Sequence, residues 1–170
     1  VDREKLLDLS GRGRKRQEEL ARKFGIRDYP QPAGGCLLTE TRYSQRLKEL
    51  MAHEGLLRRD IELLGLGRHF RLEGGAKLVV GRNRSENHRL LDLAGGEDAV
   101  IRPAEGIKGP VGIVRGRLTD DDLQAAGRIL ARYCDRVEDQ PVEVNCLRAG
   151  SRSAFSVNRP AEEFVLKWQI

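Results

Sequence analysis

The chain has 170 residues, a net charge of +5, 39% hydrophobic and 34% charged residues. That length suits one domain or two small ones and buries a core without disulfides or metal, and the composition excludes a disordered polymer. No apolar run approaches the roughly 20 residues of a membrane span, and with charge throughout the stretch 1–24 no signal peptide is expected there.

Residues 10–24 read as a helix, with Ser10 as cap, Leu20, Ala21 and Phe24 on one side and Gly25 as a left-handed stop. The Tyr29–Gly35 stretch (Tyr-Pro-Gln-Pro-Ala-Gly-Gly) breaks regular structure. A second helix is predicted over Thr41–Ala52, with Tyr43, Leu47, Leu50 and Met51 at helical spacing. Ile61–Leu66 is apolar but of undecided type. After Gly67 the texture changes. Strands are predicted at 68–72 and 76–80 around a Glu73-Gly74-Gly75 turn, then at 99–102, 111–114, 142–147 and 164–168. Asn83 caps a helix ending near Leu93, with Glu86 as its capping-box partner. Thr119 opens another helix, whose first turn holds Asp120, Asp121 and Asp122 and whose buried stripe is Leu123, Ala126, Ile129, Leu130 and Tyr133. The expected fold is α+β: a helical, loop-rich segment 1–66 followed by a domain 67–170 with a mostly antiparallel sheet packed with two helices.

The basic residues are unevenly spread. Arg12, Arg14, Lys15 and Arg16 lie together without an acid, as do Arg148, Arg152 and Arg159. Such stretches suit a phosphate backbone, and a solvated surface is the plainer alternative. Gly81, Arg82, Asn83 and Arg84 form a corner where a strand feeds a capped helix. Helix-start amides and the two arginines there suit a phosphate. In a plain strand-to-helix connection Gly81 would instead take positive φ and the arginines would face water. Aromatic residues make up only 5% of the chain, which favours recognition of folded RNA over base stacking on aromatic platforms.

Enzyme motifs are sparse. There is no Walker loop, no GxGxxG after a strand and no nucleophile elbow. His53, His69 and His88 stand apart, and Cys36, Cys134 and Cys146 match no zinc spacing, so no metal site is expected. The odd cysteine count fits a reducing cytoplasm. Cys36 follows two glycines and could be exposed as a reactive thiolate, or be a small buried hydrophobe.

Two resemblances sharpen this reading. Gly34-Gly35-Cys36-Leu37-Leu38-Thr39, followed by the Tyr43–Leu50 segment, resembles the cysteine segment of tRNA 2-thiouridylases, although that family has Gly-Ile-Cys. The resemblance implies Cys36 as a persulfide carrier. It also implies a PP-loop domain upstream, using ATP and Mg, and a sulfur-carrier protein as donor. This chain needs no cofactor of its own in that scheme, and its start at Val1 rather than Met leads to the expectation of a fragment. Separately, Leu78-Val79-Val80-Gly81-Arg82-Asn83, with Glu86-Asn87 and the Gly109-Pro110-Val111 and Val142-Glu143-Val144 segments, resembles the RNA-binding module of NFACT proteins over residues 65–168.

Together these lead to the expectation of a cytoplasmic, tRNA-binding C-terminal region of a tRNA sulfurtransferase, inactive without its upstream domain. The expected RNA contacts are Arg12, Arg14, Lys15, Arg16, Arg82, Asn83, Arg84, Arg148 and Arg152. The alternatives are a non-catalytic RNA-binding module associated with tRNA or the ribosome and a protein-interaction domain. No membrane partner is expected.

Overall fold

The structure is a computed structural model, and it describes residues 14–28, 36–53, 57–135 and 140–170. The chain divides into two compact units, 1–36 and 37–170. In the first, helix α1 spans Lys15–Lys23 and buries none of its residues. It stops as its sequence predicts. Gly25 takes φ +68°, and the amides of Gly25 and Ile26 turn back to the carbonyls of Arg22 and Ala21. The expected cap Ser10, the cation Arg12 and the break at 29–35 lie outside the described residues.

The second unit opens with helices α2 (Thr41–His53) and α3 (Arg58–Leu64). A sheet follows, built from β1 (Arg68–Arg71), β2 (Lys77–Val80), β3 (Ala99–Pro103), β4 (Gly112–Arg115), β5 (Val142–Arg148) and β6 (Ser151–Val157). Their spatial order is β1-β2-β4-β3-β5-β6, and every neighbouring pair is antiparallel. Helix α4 (Arg84–Leu93) links β2 to β3, α5 (Asp120–Arg132) links β4 to β5, and α6 (Glu162–Leu166) follows the sheet. This is the predicted α+β class. The change of texture near Gly65–Gly67 falls inside this unit, between α3 and β1.

Alternation along the strands sorts the side chains. Val142, Val144 and Cys146 of β5 are buried on the face that carries α5, while Glu143 and Leu147 are exposed. Helix α5 is started by a reciprocal capping box between Thr119 and Asp122. Its stripe of Ala126, Ile129 and Leu130 is fully buried with Phe70, Leu78 and Ile101. Each large aliphatic side chain buried this way contributes about 1.5–3 kcal/mol. Gly127 leaves room for the Phe155 ring, which would lie 2.5 Å from an added Cβ. The other face holds a smaller cluster in which Leu90 of α4 and Leu63 of α3 meet Val79 and Ile113.

One reading of local structure is corrected, one strand was not foreseen, and one apolar residue lies off its helix's buried side. The segment expected as a strand at 164–168 is the end of α6 and a turn, with Val165 buried and Phe164 and Trp168 half-buried against the core. Residues 151–157, rich in Arg and Ser, form edge strand β6, whose exposed side chains carry little hydrophobic alternation. Met51 is 61% exposed, because α2 buries the side bearing Tyr43 and Leu50. The undecided segment 61–66 belongs mostly to α3, with Leu63 and Leu64 buried.

Two buried charge clusters fasten the helices to the sheet. Glu49 of α2 receives Lys77 Nζ of β2 at 2.8 Å and Arg71 Nε of β1 at 2.5 Å. Burial opposes its charge, yet Lys77 and Arg71 hold the Glu49 carboxyl below the usual carboxylate range. Arg115 of β4 pairs with Asp60 of α3 and, at 2.6 Å, with Asp98 before β3, and donates to the Leu93 carbonyl at 3.2 Å.

His69 of β1 is fully buried and donates from Nε2 to the Leu66 carbonyl at 2.7 Å. Burial, with Arg46 and Lys77 adding repulsion, lowers its pKa to about 3.

Two outcomes are expected. Arg115→Met leaves Asp60 and Asp98 buried without their cation and lowers unfolding stability by about 3–5 kcal/mol in urea. A loss below about 1 kcal/mol would show the cluster to be dispensable. For His69, the unfolded chain takes up a proton below its ordinary pKa of 6.5 that the folded chain refuses until about pH 3. Stability therefore falls as pH drops through that window, by about 1.4 kcal/mol per pH unit. His69→Gln flattens the curve between pH 6.5 and 4.5, above the range where Glu49 and Glu86 lose their charge. An unchanged slope would assign that pH dependence elsewhere.

Candidate nucleic-acid interface

Helix α4 begins at the corner where β2 ends. Asn83 Oδ1 accepts from the Glu86 amide at 2.9 Å, as the sequence predicts. The Glu86 carboxylate, however, does not complete a capping box with Asn83. Its Oε2 accepts from the Arg82 amide at 2.8 Å and from the Gly67 amide at 3.2 Å. The Arg82 guanidinium also binds it, with Nε 2.9 Å from Oε1 and Nη2 at 2.5 Å from the same oxygen. Arg82 thereby holds the Glu86 carboxyl below the usual range, against the opposing effect of burial. Gly67 comes close enough because it lacks a side chain. Its φ is +64°, and a Cβ there would lie 2.5 Å from the Val80 carbonyl oxygen.

Gly81 is needed, but not for the positive φ that the plain-connection alternative would give it. It is absent from the glycines with positive φ. A Cβ on it would lie 2.1 Å from Asn87 Oδ1, which accepts from the Val111 amide at 3.1 Å. The Gly81 amide in turn donates to the Val111 carbonyl at 3.0 Å. The corner is thus stitched to the segment before β4.

These bonds use up the amides of Arg82 and Glu86 but leave those of Arg84 and Ser85, in the first turn of α4, without an acceptor among the described residues. The start of α4, at Asn83 and Arg84, borders a cleft of about 720 Å³. Arg68, Arg82, Asn83 and Arg84 line one part of it, and Lys108, Pro110 and Tyr133 another. The Arg68 guanidinium lies over the Tyr133 ring, 4.3 Å from its centroid. Among the described residues, no carboxylate lines the cleft. Because Arg82 is neutralised by Glu86, the charge facing a ligand comes from Arg68, Arg84 and Lys108.

The structure therefore gathers Arg82, Asn83 and Arg84 and adds Arg68 and Lys108, which sequence reasoning missed. Each of the two stands alone in the chain, one in a strand and one in a loop, so no local pattern marks it. In the second unit, the other expected contacts do not line this cleft. Arg14, Lys15 and Arg16 are exposed at the start of α1, in the first unit. Arg148 is exposed at the end of β5, and Arg152 on β6 pairs in register with Leu147. Arg159 donates to the carbonyls of Cys134 and Asp135 at 2.7 and 3.0 Å, closing the end of α5.

Of the cysteines, Cys36 is exposed, whereas Cys134 and Cys146 are buried. Burial pushes the Cys134 thiol up to about 11 and raises that of Cys146 as well, so neither is a ready thiolate. Among the described residues, no group of three His, Cys, Asp or Glu side chains is placed to hold a metal ion, and no helix is long and apolar enough to cross a membrane.

A family model described as the NFACT protein RNA binding domain matches residues 67–169, which contain the sheet and the whole α4 corner. The chain belongs to this family. Membership in the NFACT RNA binding domain family supports RNA as the partner, and the cleft lies wholly within the matched region. Cys36 and helices α1 to α3 precede it. The solved structure of the C-terminal of the fibronectin/fibrinogen-binding protein from Streptococcus suis shares the fold, with a TM-score of 0.54 at 17% identity over 62% of this chain. This chain covers 49% of that structure. No curated protein matches the sequence.

Proposed function

We propose that this RNA binding domain grips the phosphate backbone of a folded RNA, with tRNA as the leading candidate, at the start of α4. One observation carries the proposal: the start of α4, where the amides of Arg84 and Ser85 have no acceptor among the described residues, borders a cleft whose described lining includes Arg68, Arg84 and Lys108 and no carboxylate. Backbone amides at a helix start and the positive end of the helix dipole favour a phosphate, and the cations add Coulomb attraction. The Arg82–Glu86 pair acts as a rigid post that keeps the corner in shape rather than as a contact. Aromatic side chains are few, so recognition in the α4 cleft proceeds by backbone and shape. The same reading places the protein in the cytoplasm as a non-catalytic module associated with tRNA or the ribosome.

A second reading, sulfur delivery to a tRNA base by Cys36 within a longer tRNA-modifying sulfurtransferase, is favoured by the exposure of Cys36. It needs an upstream domain using ATP and Mg and a sulfur-carrier protein. Cys36→Ser in the full-length protein then abolishes thiolated nucleosides in tRNA digests. Unchanged thiolation removes Cys36 from the chemistry.

The main reading is tested by titrating labelled tRNA with the chain between about 50 and 200 mM salt. Binding weakens steeply with salt. The pair Arg84→Ala and Lys108→Ala lowers affinity at least about tenfold and reduces the log–log salt slope by about 1.5. Unaltered affinity in that double variant would place the RNA elsewhere.

A further inference from the structure

The cleft at α4 does not end at Pro110. Ile107, Gly109 and Pro110 also line a second cleft of about 550 Å³. Arg102 and Asn145 of that cleft in turn line a third, of about 520 Å³. The three hollows form a continuous track from the helix start, over the loop at 104–111, onto the sheet.

The third hollow exists because α4 covers only part of its face of the sheet. Its Leu90 packs over β2 and β4, and the same side of β3, β5 and β6 is left open among the described residues. The register sets two cross-strand rows there: Val100–Leu147–Arg152 and Arg102–Asn145–Ala154. Leu147 is 43% exposed, and Leu91 at the wall is 42% exposed. Arg115, Arg82 and Arg159 are all engaged in bonds within the protein. The side chains of Arg102, Asn145 and Arg152 have no hydrogen-bond or ion-pair partner among the described residues. The one carboxylate lining this hollow, Asp98, is tied to Arg115 and to the Gly95 amide. Glu105, on the middle stretch, is exposed.

We infer that this open sheet face receives an unpaired stretch of the same RNA, running on from the α4 cleft. The inference rests on the proposed grip at α4. Val100 and Leu147 offer an apolar floor for the flat faces of about two bases across strands about 4.8 Å apart. Arg102 and Arg152 sit at the edges of that floor for the phosphates, and the Asn145 amide lies between them with both donor and acceptor available to a base edge. The charge is of the sign that RNA requires, and the face is continuous with the cleft that holds the paired part.

The experiment compares a blunt RNA hairpin with the same hairpin carrying a single-stranded extension of about four nucleotides, by fluorescence anisotropy with the full chain. The extension is expected to tighten binding about tenfold. Leu147→Glu and Arg152→Ala, both at exposed positions, erase that gain while leaving blunt-hairpin affinity and thermal unfolding unchanged. An abasic extension, which keeps the phosphates, gives a smaller gain. Equal affinity for blunt and extended RNA overturns the inference, leaves the grip at α4 standing and frees this face for a protein partner. Binding of the extended RNA alone supports the sheet site and counts against the grip at α4. Failure of both RNAs to bind overturns both.

Discussion

The guanidinium of Arg115 lies at the junction of β4, α3 and the end of α4, where it is 11% exposed. Burial opposes its charge, but Asp98 and Asp60 hold that charge firmly in place. An ion taken out of water is tolerated only when its partners are fixed, so each of the three groups dictates where the others must be. Asp60 is thereby locked to the sheet along with α3, and Asp98, with the Leu93 carbonyl, sets how α4 hands over to β3. The Glu49 cluster does the same for α2, through Arg71 of β1 and Lys77 of β2. Helices α2 and α3 are in this way part of the sheet's own unit.

That arrangement bears on RNA binding because it fixes α4 at both ends. Leu93 and Asp98 anchor one end; Glu86 and Asn87 anchor the other to Gly67, Arg82 and Val111. A helix start useful for phosphate has to be held rigidly while keeping some of its amides open. Glu86 satisfies this by bonding backward to the β1 and β2 sides of the corner rather than inward to its own helix. The ordinary capping box would have met the same carboxylate at the Asn83 amide. Here the carboxylate is consumed by Arg82, so the cations that remain for a ligand are Arg68 of β1, Arg84 at the start of α4 and Lys108 of the loop before β4.

Much of the fold was legible in the sequence. The Thr119 box and the stripe Ala126, Ile129, Leu130 identify α5, and Asn83 identifies the start of α4, because caps and helical periodicity act within one or two turns. Strand β6 was not legible, since an edge strand with Arg and Ser at most positions is defined by its pairing with β5 rather than by alternation. The 164–168 run misleads for the related reason that short apolar stretches carry no clear period. At the candidate site, Gly81, Arg82, Asn83 and Arg84 form a local motif and were visible. Arg68 and Lys108 were not, being 40 residues apart in the chain and neighbours only across the cleft.

By itself, then, the sequence determined the class of the fold, the caps and stripes of α4 and α5, and a basic strand-to-helix corner, all of which follow from interactions between residues close in the chain. Tertiary structure alone decided which cations face RNA and which serve the protein. Arg82, Arg115 and Arg159 look no different from Arg68, Arg84 and Arg102 as letters. They differ because the fold delivers a carboxylate or a pair of carbonyls to the first three, the Tyr133 ring and one long carbonyl contact to Arg68, and open water to Arg84 and Arg102. Charge becomes available to a ligand only where folding leaves it uncompensated.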